Sequence, residues 1–250
     1  MALEKAYKLL AAQEGISNSE AKSMIDRGLV YAANKKVMIA RGDIDTKTLF
    51  KVEKVEKIKP IFENEDLVVV DKPAHVNSDE IERQFKPAVL LHRLDKETSG
   101  VLMLVKNEEF REKAIQEFKK DRVYKEYIAW VEGIITEPHD IDKPILTTLE
   151  CGMAKSKIDL KRGKSAKSTV YPVLVEGNKS KIKVVIESGR THQIRVHLNS
   201  VGLPIIGDAI YGRVSSNVNR VLLHSKVTKI FDYTFEAAEP KEFRVYDFNS

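Results

Sequence analysis

A single carboxylate stands among cations in the run HRLDKETSG at positions 92–100. Asp95 is flanked by Arg93 and Lys96, and an apolar stretch at 101–105 follows it. A carboxylate held among positive groups can act as a nucleophile or as a base. In most proteins, however, the same pattern is a surface ion pair. Spacing alone therefore leaves both interpretations open.

A second polar cluster lies in GRTHQIRVHL at 189–198, which supplies two arginines and two histidines. Arg195 stands one helical turn beyond Thr191, so the run can begin a helix. His192 and His197 are five residues apart, whereas four residues align two ligands on a helix, and no carboxylate accompanies them. We predict no metal site here, and a solvated basic face is the alternative to a binding role.

Composition narrows the class of protein. The 250 residues are 42% hydrophobic, enough for one large and one small domain. Cys151 is the single cysteine, which excludes an internal disulfide framework and favours a reducing, cytoplasmic location. The N-terminal residues MALEKAYKLL carry charges inside their apolar stretch, so we expect neither a signal peptide nor a membrane span. We also expect a monomer, because no long apolar seam remains for a partner.

Positive charge is concentrated in two places. The formal net charge is +5, and residues 1–60 hold twelve Lys/Arg against eight Asp/Glu. Between 151 and 183, nine Lys/Arg face two acids. Such patches suit a polyanionic partner, although a solvated loop explains the second patch equally well. Neither a Walker-type P-loop nor a Rossmann glycine fingerprint is present, so no nucleotide cofactor is expected.

The first 60 residues predict a small domain of helices followed by strands. Helical spacing indicates a helix at 3–14 that ends at Gly15, and Ser17 with Glu20 forms a capping-box pattern for a second helix that ends at Gly28. A hairpin of two strands, 30–33 and 37–40, follows. A strand at 48–55 and a linker at 54–60 complete the domain. We place the boundary near residue 59, which gives domains 1–58 and 59–250.

The larger domain predicts an α+β fold with a mixed, mainly antiparallel sheet. Strands are predicted at 67–70, 101–105, 123–131, 169–176 and 181–187, with short strand-like runs towards the C-terminus. An amphipathic helix is predicted at 108–120, and a second one, from 194 to 201, is closed by Gly202. Because hairpin-like strands dominate, a doubly wound parallel sheet is not expected.

Six motifs in order give the chain a specific resemblance. These are HRLDKETSG at 92–100, KEYIAWVEG at 125–133, GKSAKSTVYPV at 163–173, GRTHQIRVHL at 189–198, PIIGDAIYG at 204–212 and LLHSK at 222–226. In order and spacing the chain resembles the RluA-type RNA pseudouridine synthases over residues 60–235. The resemblance implies an isomerase that modifies RNA without a cofactor.

The N-terminal piece resembles an S4-like RNA-binding module. ISNSEAKSMIDRGLVYAANKKV at 16–37 and RGD at 41–43 carry this likeness, and Lys22, Arg27 and Lys35 are its candidate RNA-binding residues. The basic residue that usually precedes the second helix is replaced here by Asn18 and Ser19. A plain structural cap is the alternative to an RNA-binding role.

By position, the resemblance assigns the catalytic aspartate to Asp95, the active-site tyrosine to Tyr127 and the aspartate-pairing basic residue to Arg195. Uridine isomerisation breaks the bond from N1 to the ribose and rejoins C5 to the same carbon. An ionised carboxylate in a dry pocket can attack that carbon or remove a sugar proton, and a nearby arginine keeps it ionised. An aromatic ring can hold the freed uracil. Covalent attack and elimination both remain open.

Other residues are assigned to RNA contact or to packing. Arg93 is the candidate to fill the space left by a flipped base. Arg190 and His192 are assigned to RNA contact as well. His92 is a further candidate for RNA contact, although a structural role is favoured for it. Tyr124, Trp130 and Tyr211 are expected to pack in the core.

The loop DKPAHVNSDE departs from the family pattern. Histidine stands at position 75, where glycine is usual, and histidine tolerates positive φ less readily. We therefore expect the loop at 71–80 to follow a different backbone path.

The substrate is open at this stage. Ribosomal RNA is the favoured partner and transfer RNA the alternative. A non-catalytic RNA-binding protein of the same fold is a second alternative. A glycosidase-like hydrolase is a third, although no obvious second carboxylate accompanies Asp95 for an acid and base pair.

Overall fold

The computed structural model describes residues 2–33, 35–52, 58–150, 153–212, 218 and 220–244. Cys151, Asn34 of the predicted first hairpin and residues 54–57 of the predicted linker lie outside this part of the chain. Among the described residues, no helix has both the length and the apolarity that crossing a membrane requires. The chain divides into two compact units, Met1–Lys57 with Ala74–Val76, and Ile58–Pro73 with Asn77–Ser250.

The described part of the first unit contains two helices and two small sheets. Its elements are β1 (Leu3–Lys5), α1 (Ala6–Glu14), α2 (Asn18–Asp26), β2 (Val30–Ala32), β3 (Lys35–Lys36), β4 (Asp43–Asp45) and β5 (Phe50–Val52). Antiparallel β1 and β4 form one sheet, and β3, β2 and β5 form the other in that order. Buried Leu10, Ile25 and Val30 lie in the core of the unit.

The helix ends in this unit follow the local signals. Gly15 caps α1 with a φ of 65°, and the Ser17 side chain accepts a hydrogen bond from the Glu20 backbone N–H, as the capping pattern predicts. Two predictions are wrong. The first helix starts at Ala6 rather than at residue 3, because Leu3–Lys5 pairs with β4, and the second hairpin strand is Lys35–Lys36 rather than 37–40.

His75 belongs to the small Ala74–Val76 piece of the first unit and has a φ of 63°. This is the left-handed conformation that glycine adopts most easily. A non-glycine residue there costs about 1–2 kcal/mol. His75 therefore adopts a positive φ in spite of this cost.

The second unit is built on a ten-stranded sheet among its described residues. The strands of the unit are β6 (Pro60–Glu63), β7 (Leu67–Lys72), β8 (Val89–Leu90), β9 (Ser99–Val105), β10 (Tyr124–Glu132), β11 (His139–Asp142), β12 (Ile145–Glu150), β13 (Met153–Ile158), β14 (Lys167–Glu176), β15 (Lys179–Ile186), β16 (Leu223–Ile230) and β17 (Tyr233–Glu236), and its helices are α3 (Ser78–Gln84), α4 (Glu108–Lys119), α5 (Gln193–Asn199) and α6 (Lys241–Arg244). In the large sheet, eight strands follow the order β11-β14-β15-β10-β16-β9-β7-β6, while β17 pairs with β16 and β8 with β9. The other two strands, β12 and β13, form a separate hairpin.

The strand directions confirm an α+β fold with a mainly antiparallel sheet. Among the described pairs of this sheet, β9 and β16 run parallel and the others antiparallel. The structure contains the five strands predicted in this domain: β7 (predicted at 67–70), β9 (101–105), β10 (123–131), β14 (169–176) and β15 (181–187). It also contains both predicted helices, α4 (108–120) and α5 (194–201).

Several elements of the second unit lack a clear sequence signal. The prediction missed α3, β6, β8 and β11, as well as the separate hairpin of β12 and β13. β6 begins at Pro60, the residue at which the sequence predicts the end of a linker. A proline at the first residue of an edge strand is compatible with pairing, which explains this error.

The strand that follows Asp95 approaches its neighbour very closely. Gly100 on β9 has a φ of 113°, and a Cβ built there would stand 2.1 Å from the Ser225 carbonyl oxygen on β16. Only a residue without a side chain allows the parallel β9–β16 pairing at this point. Gly100 thus brings the Asp95 segment and Ser225 together.

We therefore expect Gly100→Ala to lower the free energy of unfolding by about 3 kcal/mol or more, from the clash added to the backbone strain. Gly177→Ala is the matched control, because Gly177 also has positive φ (57°) but nothing lies within 4 Å of its built Cβ. It should cost only about 1 kcal/mol. Trp130, the single tryptophan, reports unfolding of the sheet by fluorescence in urea. Equal losses in the two variants would contradict the close-approach argument.

Candidate active site

Asp95 lies in the short segment between β8 and β9. Its carbonyl accepts a turn hydrogen bond from the Thr98 backbone N–H at 3.1 Å. The preceding residue, Leu94, is held by Ser78 at the start of α3, whose Oγ donates to the Leu94 carbonyl at 3.0 Å and accepts from its N–H at 3.1 Å. Because Ser78 is buried, this pair of bonds fixes the backbone that presents Asp95.

Arg195 on α5 joins Asp95 to a second carboxylate. Its Nε and Nη2 donate to the two oxygens of Asp208, both at 2.8 Å, in a bidentate fork. Its Nη1 donates to Asp95 Oδ2 at 3.2 Å. Arg195 is 4% exposed and Asp208 is fully buried. One guanidinium therefore bridges a structural carboxylate and the carboxylate of the HRLDKETSG motif.

The pKa values of this group follow from burial and pairing. Burial alone would raise the pKa of Asp208, but the hydrogen bonds and charge of Arg195 outweigh it and lower that pKa. For Arg195, burial opposes the charged form, yet the bonds and charge of Asp208, with those of Asp95, raise its pKa. Both groups of the fork are therefore charged at neutral pH.

Tyr127 on β10 is the aromatic residue of the site. Burial raises its pKa to about 12, against a hydrogen bond with Ser225 and with a further contribution from the charge of Asp95. The side chain thus remains a neutral phenol at neutral pH. Trp130, on the opposite face of the same strand, is fully buried, as predicted, whereas Tyr124 is half-buried and donates its O–H to Glu126.

The three predicted residues of the site line one cavity. The Asp95 cavity is bordered by Asp95, Tyr127 and Arg195, by the apolar Ile186 and Leu223, and by His192. A lining that combines charged and apolar groups suits a flat heterocycle attached to a polar sugar.

A larger basic cleft shares several walls with this cavity. Its cationic lining residues are Arg93, Lys96, Lys125 and Arg190. Burial lowers the pKa of Lys125 to about 8, and its Nζ donates to the Glu187 carbonyl. Arg190 donates from Nε to the Ser165 carbonyl at 3.1 Å. The basic cleft is suited to a polyanion that continues beyond the Asp95 cavity.

Lys72, at the end of β7, is a buried lysine next to the Asp95 segment. Its Nζ donates to the carbonyls of Pro73, at 3.0 Å, and Lys96, at 3.2 Å. Burial and the charge of Arg220 lower the pKa of Lys72 to about 7, while the charge of Asp95 opposes this shift. The lysine therefore ties β7 to the residue that follows Asp95.

His192 and Tyr211 also belong to the site. His192 Nε2 is 3.8 Å from Asp95 Oδ2, and its Nδ1 is 2.7 Å from the Tyr211 hydroxyl. The Tyr211 ring lies 5.2 Å from the Arg195 guanidinium carbon. Burial lowers the pKa of His192, and the charge of Asp95 opposes this. The prediction that Tyr211 is only a core packing residue is therefore wrong, because its hydroxyl and ring both contact site residues.

The remaining predicted residues of this unit have distinct environments. Arg93 is exposed and forms an ion pair with both oxygens of Asp79 at 3.0 Å. His92 Nε2 accepts a hydrogen bond from the Met103 N–H, and burial lowers the pKa of His92 to about 4. His92 thus has a structural bond, although it also borders the basic cleft. His197 is buried, with its ring nitrogens bonded to Ser168 and to the Lys143 carbonyl.

The three candidate RNA-binding residues of the N-terminal piece lie in the first unit. Lys22 on α2 places its Nζ 4.1 Å from the centre of the Tyr7 ring. Arg27 caps the end of the same helix, and Lys35 on β3 is exposed. Lys35 is accordingly accessible to a polyanion, and Lys22 is a half-buried cation.

Sequence reasoning missed three residues that position Asp95, namely Lys72, Ser78 and Asp208. Asp208 stands in the PIIGDAIYG motif, so the signal was an acidic residue inside a motif already recognised as specific. Its presence also removes the argument that no second carboxylate accompanies Asp95. Because both Asp208 oxygens are buried and occupied by Arg195, that carboxylate is not placed to act as the second group of a glycosidase.

No group of three His, Cys, Asp or Glu side chains in the described ranges is arranged to hold a metal ion. The side chains of the site offer a substrate a carboxylate beside an arginine, an aromatic ring and a basic cleft.

Comparisons with known proteins point to one family. The family model for RNA pseudouridylate synthase matches residues 66–200. An uncharacterized RNA pseudouridine synthase of Helicobacter pylori is 47% identical over 97% of this chain and 100% of its own length. Ribosomal large subunit pseudouridine synthase D of Borreliella burgdorferi is 32% identical over 84% of this chain and 65% of that protein.

A solved structure shows the same relationship. The structure of human RNA Pseudouridylate Synthase Domain Containing 1 superposes with a TM-score of 0.64 at 29% identity, and covers 77% of this chain and 86% of its own. The chain belongs to the RNA pseudouridylate synthase family. Its enzyme class is accordingly that of the RNA pseudouridine synthases.

The buried fork gives a stability prediction. Asp208→Asn leaves the Arg195 charge without its main partner, so we expect the free energy of unfolding at pH 7 to fall by about 3 kcal/mol. The lowered pKa means that Asp208 stabilises the fold fully above its unfolded pKa, near 4, and that this contribution disappears as the pH falls through the folded pKa. Urea unfolding of the wild type and the variant at pH 7 and at pH 3 measures both effects. A difference that grows on acidification would contradict the assignment.

Proposed function

We propose that this chain isomerises specific uridines to pseudouridine in structured RNA, most of all ribosomal RNA, with Asp95 as the catalytic carboxylate. The observation that carries the proposal is the bond from Arg195 to Asp95 inside a cavity that Tyr127 also borders. Transfer RNA is the alternative substrate. Support for ribosomal RNA comes from the name of the Borreliella burgdorferi relative.

The first step would use Asp95 as an ionised carboxylate. Arg195 and His192 both approach Oδ2, and no described hydrogen bond or ion pair reaches Oδ1. Oδ1 is therefore the oxygen available to attack the sugar carbon or to take a sugar proton. In either case, the electrons of the bond from that carbon to N1 leave with the uracil.

The second step needs a surface on which the detached uracil can turn. Tyr127 with its raised pKa supplies a neutral ring rather than a phenolate, which favours stacking over proton removal. Ile186 and Leu223 complete the apolar wall. In the covalent route, C5 then displaces the Asp95 carboxylate from the sugar carbon. In the elimination route, C5 adds to the unsaturated sugar as Asp95 returns the proton it removed. The C5 proton is lost to a base or to water and N1 gains one, so the reaction is an isomerisation without redox change.

Access to a stacked uridine requires flipping of the nucleotide, at a cost of a few kcal/mol. Arg93 is our candidate for filling the vacated space, because its guanidinium is planar and its side chain is 67% exposed. Its ion pair with Asp79 is at the surface and therefore costs less than about 1 kcal/mol to break. Arg190 and His192 would contact the RNA near the same opening.

The first unit would add RNA affinity as an S4-like module of an RluA-type enzyme. Lys22, Arg27 and Lys35 are its proposed phosphate-binding residues. A non-catalytic RNA-binding protein would share this module, so only turnover distinguishes the two functions.

Tritium release from RNA labelled at uridine C5 tests the catalytic proposal. Wild-type protein should release label, and the pool that responds, ribosomal or transfer RNA, identifies the substrate class. Asp95→Asn should be slower by about 10³-fold or more while RNA affinity changes by less than about threefold. Normal turnover by the variant would exclude Asp95 as the catalytic group. No release by the wild type from either pool would favour the RNA-binding alternative.

Salt dependence tests the first unit. Replacing Lys22, Arg27 and Lys35 with alanine should reduce the slope of log affinity against log salt by about 2, at about 0.7–0.9 for each lost phosphate contact. The matched control replaces the exposed Lys8, Lys47 and Lys51 of the same unit, with the same change in charge. An equal effect of both triple variants would indicate a general charge effect rather than a binding site.

A further inference from the structure

His192 is held in an unusual backbone conformation directly beside Asp95. It has a φ of 54° at the start of α5, in the left-handed region where glycine is preferred. This costs about 1–2 kcal/mol for a residue with a Cβ. Strain of this kind at a site residue indicates that its side chain is needed where it stands.

The Tyr211 hydroxyl lies between the Ser156 backbone and the His192 ring. The Ser156 backbone N–H donates to this oxygen at 2.8 Å, so the oxygen is an acceptor in that bond. On its other side the oxygen lies 2.7 Å from His192 Nδ1. With the phenolic proton directed to Nδ1, the proton of the neutral imidazole is on Nε2, which faces Asp95.

Ser156 is held in turn by burial and by bonds to two further residues. Ser156 is buried on β13, and its Oγ donates to the carbonyl of Thr191, the residue before His192. The same oxygen lies 2.8 Å from Thr147 Oγ1 on β12. The hairpin of β12 and β13 thus fixes both the Tyr211 oxygen and the backbone that carries His192.

We propose that Tyr211 is a positioning residue that fixes His192 as the Nε2–H tautomer, so that His192 becomes the second donor to Asp95 Oδ2 beside Arg195. The present separation of 3.8 Å exceeds a hydrogen bond. Such bonds are often long without substrate and tighten when it binds. Two fixed donors on Oδ2 set the rotation of the carboxylate and direct Oδ1 towards the sugar. This inference rests on the proposed role of Asp95.

Two substitutions of His192 test whether the site needs the hydrogen-bond donor at Nε2 or the whole imidazole ring. In His192→Gln, the amide nitrogen occupies the place of Nε2 and can still donate to Asp95. In His192→Asn, the amide reaches only the place of Nδ1, next to Tyr211. We expect kcat for pseudouridine formation to stay within about threefold in the glutamine variant and to fall about tenfold or more in the asparagine variant. Equally slow variants would overturn the proposal.

A double-mutant cycle tests whether Tyr211 acts through His192. Tyr211→Phe keeps the ring against Arg195 and removes the hydroxyl. It should lower kcat about five- to tenfold in the wild-type background but by less than about twofold in His192→Gln, whose amide needs no tautomer. Equal losses in both backgrounds would show a merely structural role. Tyr233→Phe is the matched control, since its hydroxyl contacts Asn64 outside the site, and it should leave kcat unchanged.

The tautomer can also be observed without any reaction. In the full chain labelled with 15N-histidine, the His192 signals, identified by their absence in His192→Gln, should show a protonated Nε2 and an unprotonated Nδ1. Tyr211→Phe should weaken this pattern. A protonated Nδ1 in the wild type would overturn the inference. Wild-type protein that shows the expected tautomer but releases no tritium would instead count against the proposed function, so the two failures are distinguishable.

Discussion

The buried charge of Arg195 is the constraint on which the rest of the site depends. A guanidinium that is 4% exposed loses its hydration, and this loss has to be offset by carboxylates at hydrogen-bond distance. Asp208 supplies two of these bonds with ideal fork geometry and is itself buried. The remaining nitrogen, Nη1, can then donate to Asp95 from a fixed position. A mobile arginine at the surface would hold Asp95 only weakly, because exposed ion pairs contribute little.

The sheet brings the members of this site together from distant parts of the chain. Asp95 precedes β9, Tyr127 lies on β10, Arg195 on α5, and Asp208 follows in the segment before β16. The close approach of Gly100 to Ser225 places β9 against β16, and Ser225 in turn contacts Tyr127. Local signals cannot specify such an arrangement, since each member depends on pairing between strands far apart in sequence. The geometry is therefore a property of the whole sheet.

The sequence predicts the elements whose signals are local and strong. The helix at 108–120 and the buried strand at 101–105 correspond to α4 and β9, because apolar spacing alone defines them. The sequence predicts a helix at Leu3–Lys5, because the neighbouring residues carry no sign of its pairing with Asp43–Asp45. Asp95, Tyr127 and Arg195 came from family resemblance rather than from periodicity. The sequence does not predict the roles of Asp208 and of the Tyr211 hydroxyl, because these roles depend on partners that only the fold brings close.

The most direct test of the account is the single-turnover rate of Arg195→Lys at saturating RNA. Lysine keeps the positive charge but cannot form a fork with Asp208 while it also donates to Asp95. If the bridging geometry places Asp95, the rate should fall by about 100-fold while RNA affinity stays within about threefold. A rate equal to that of the wild type would contradict the account, because charge alone would then be enough to hold Asp95.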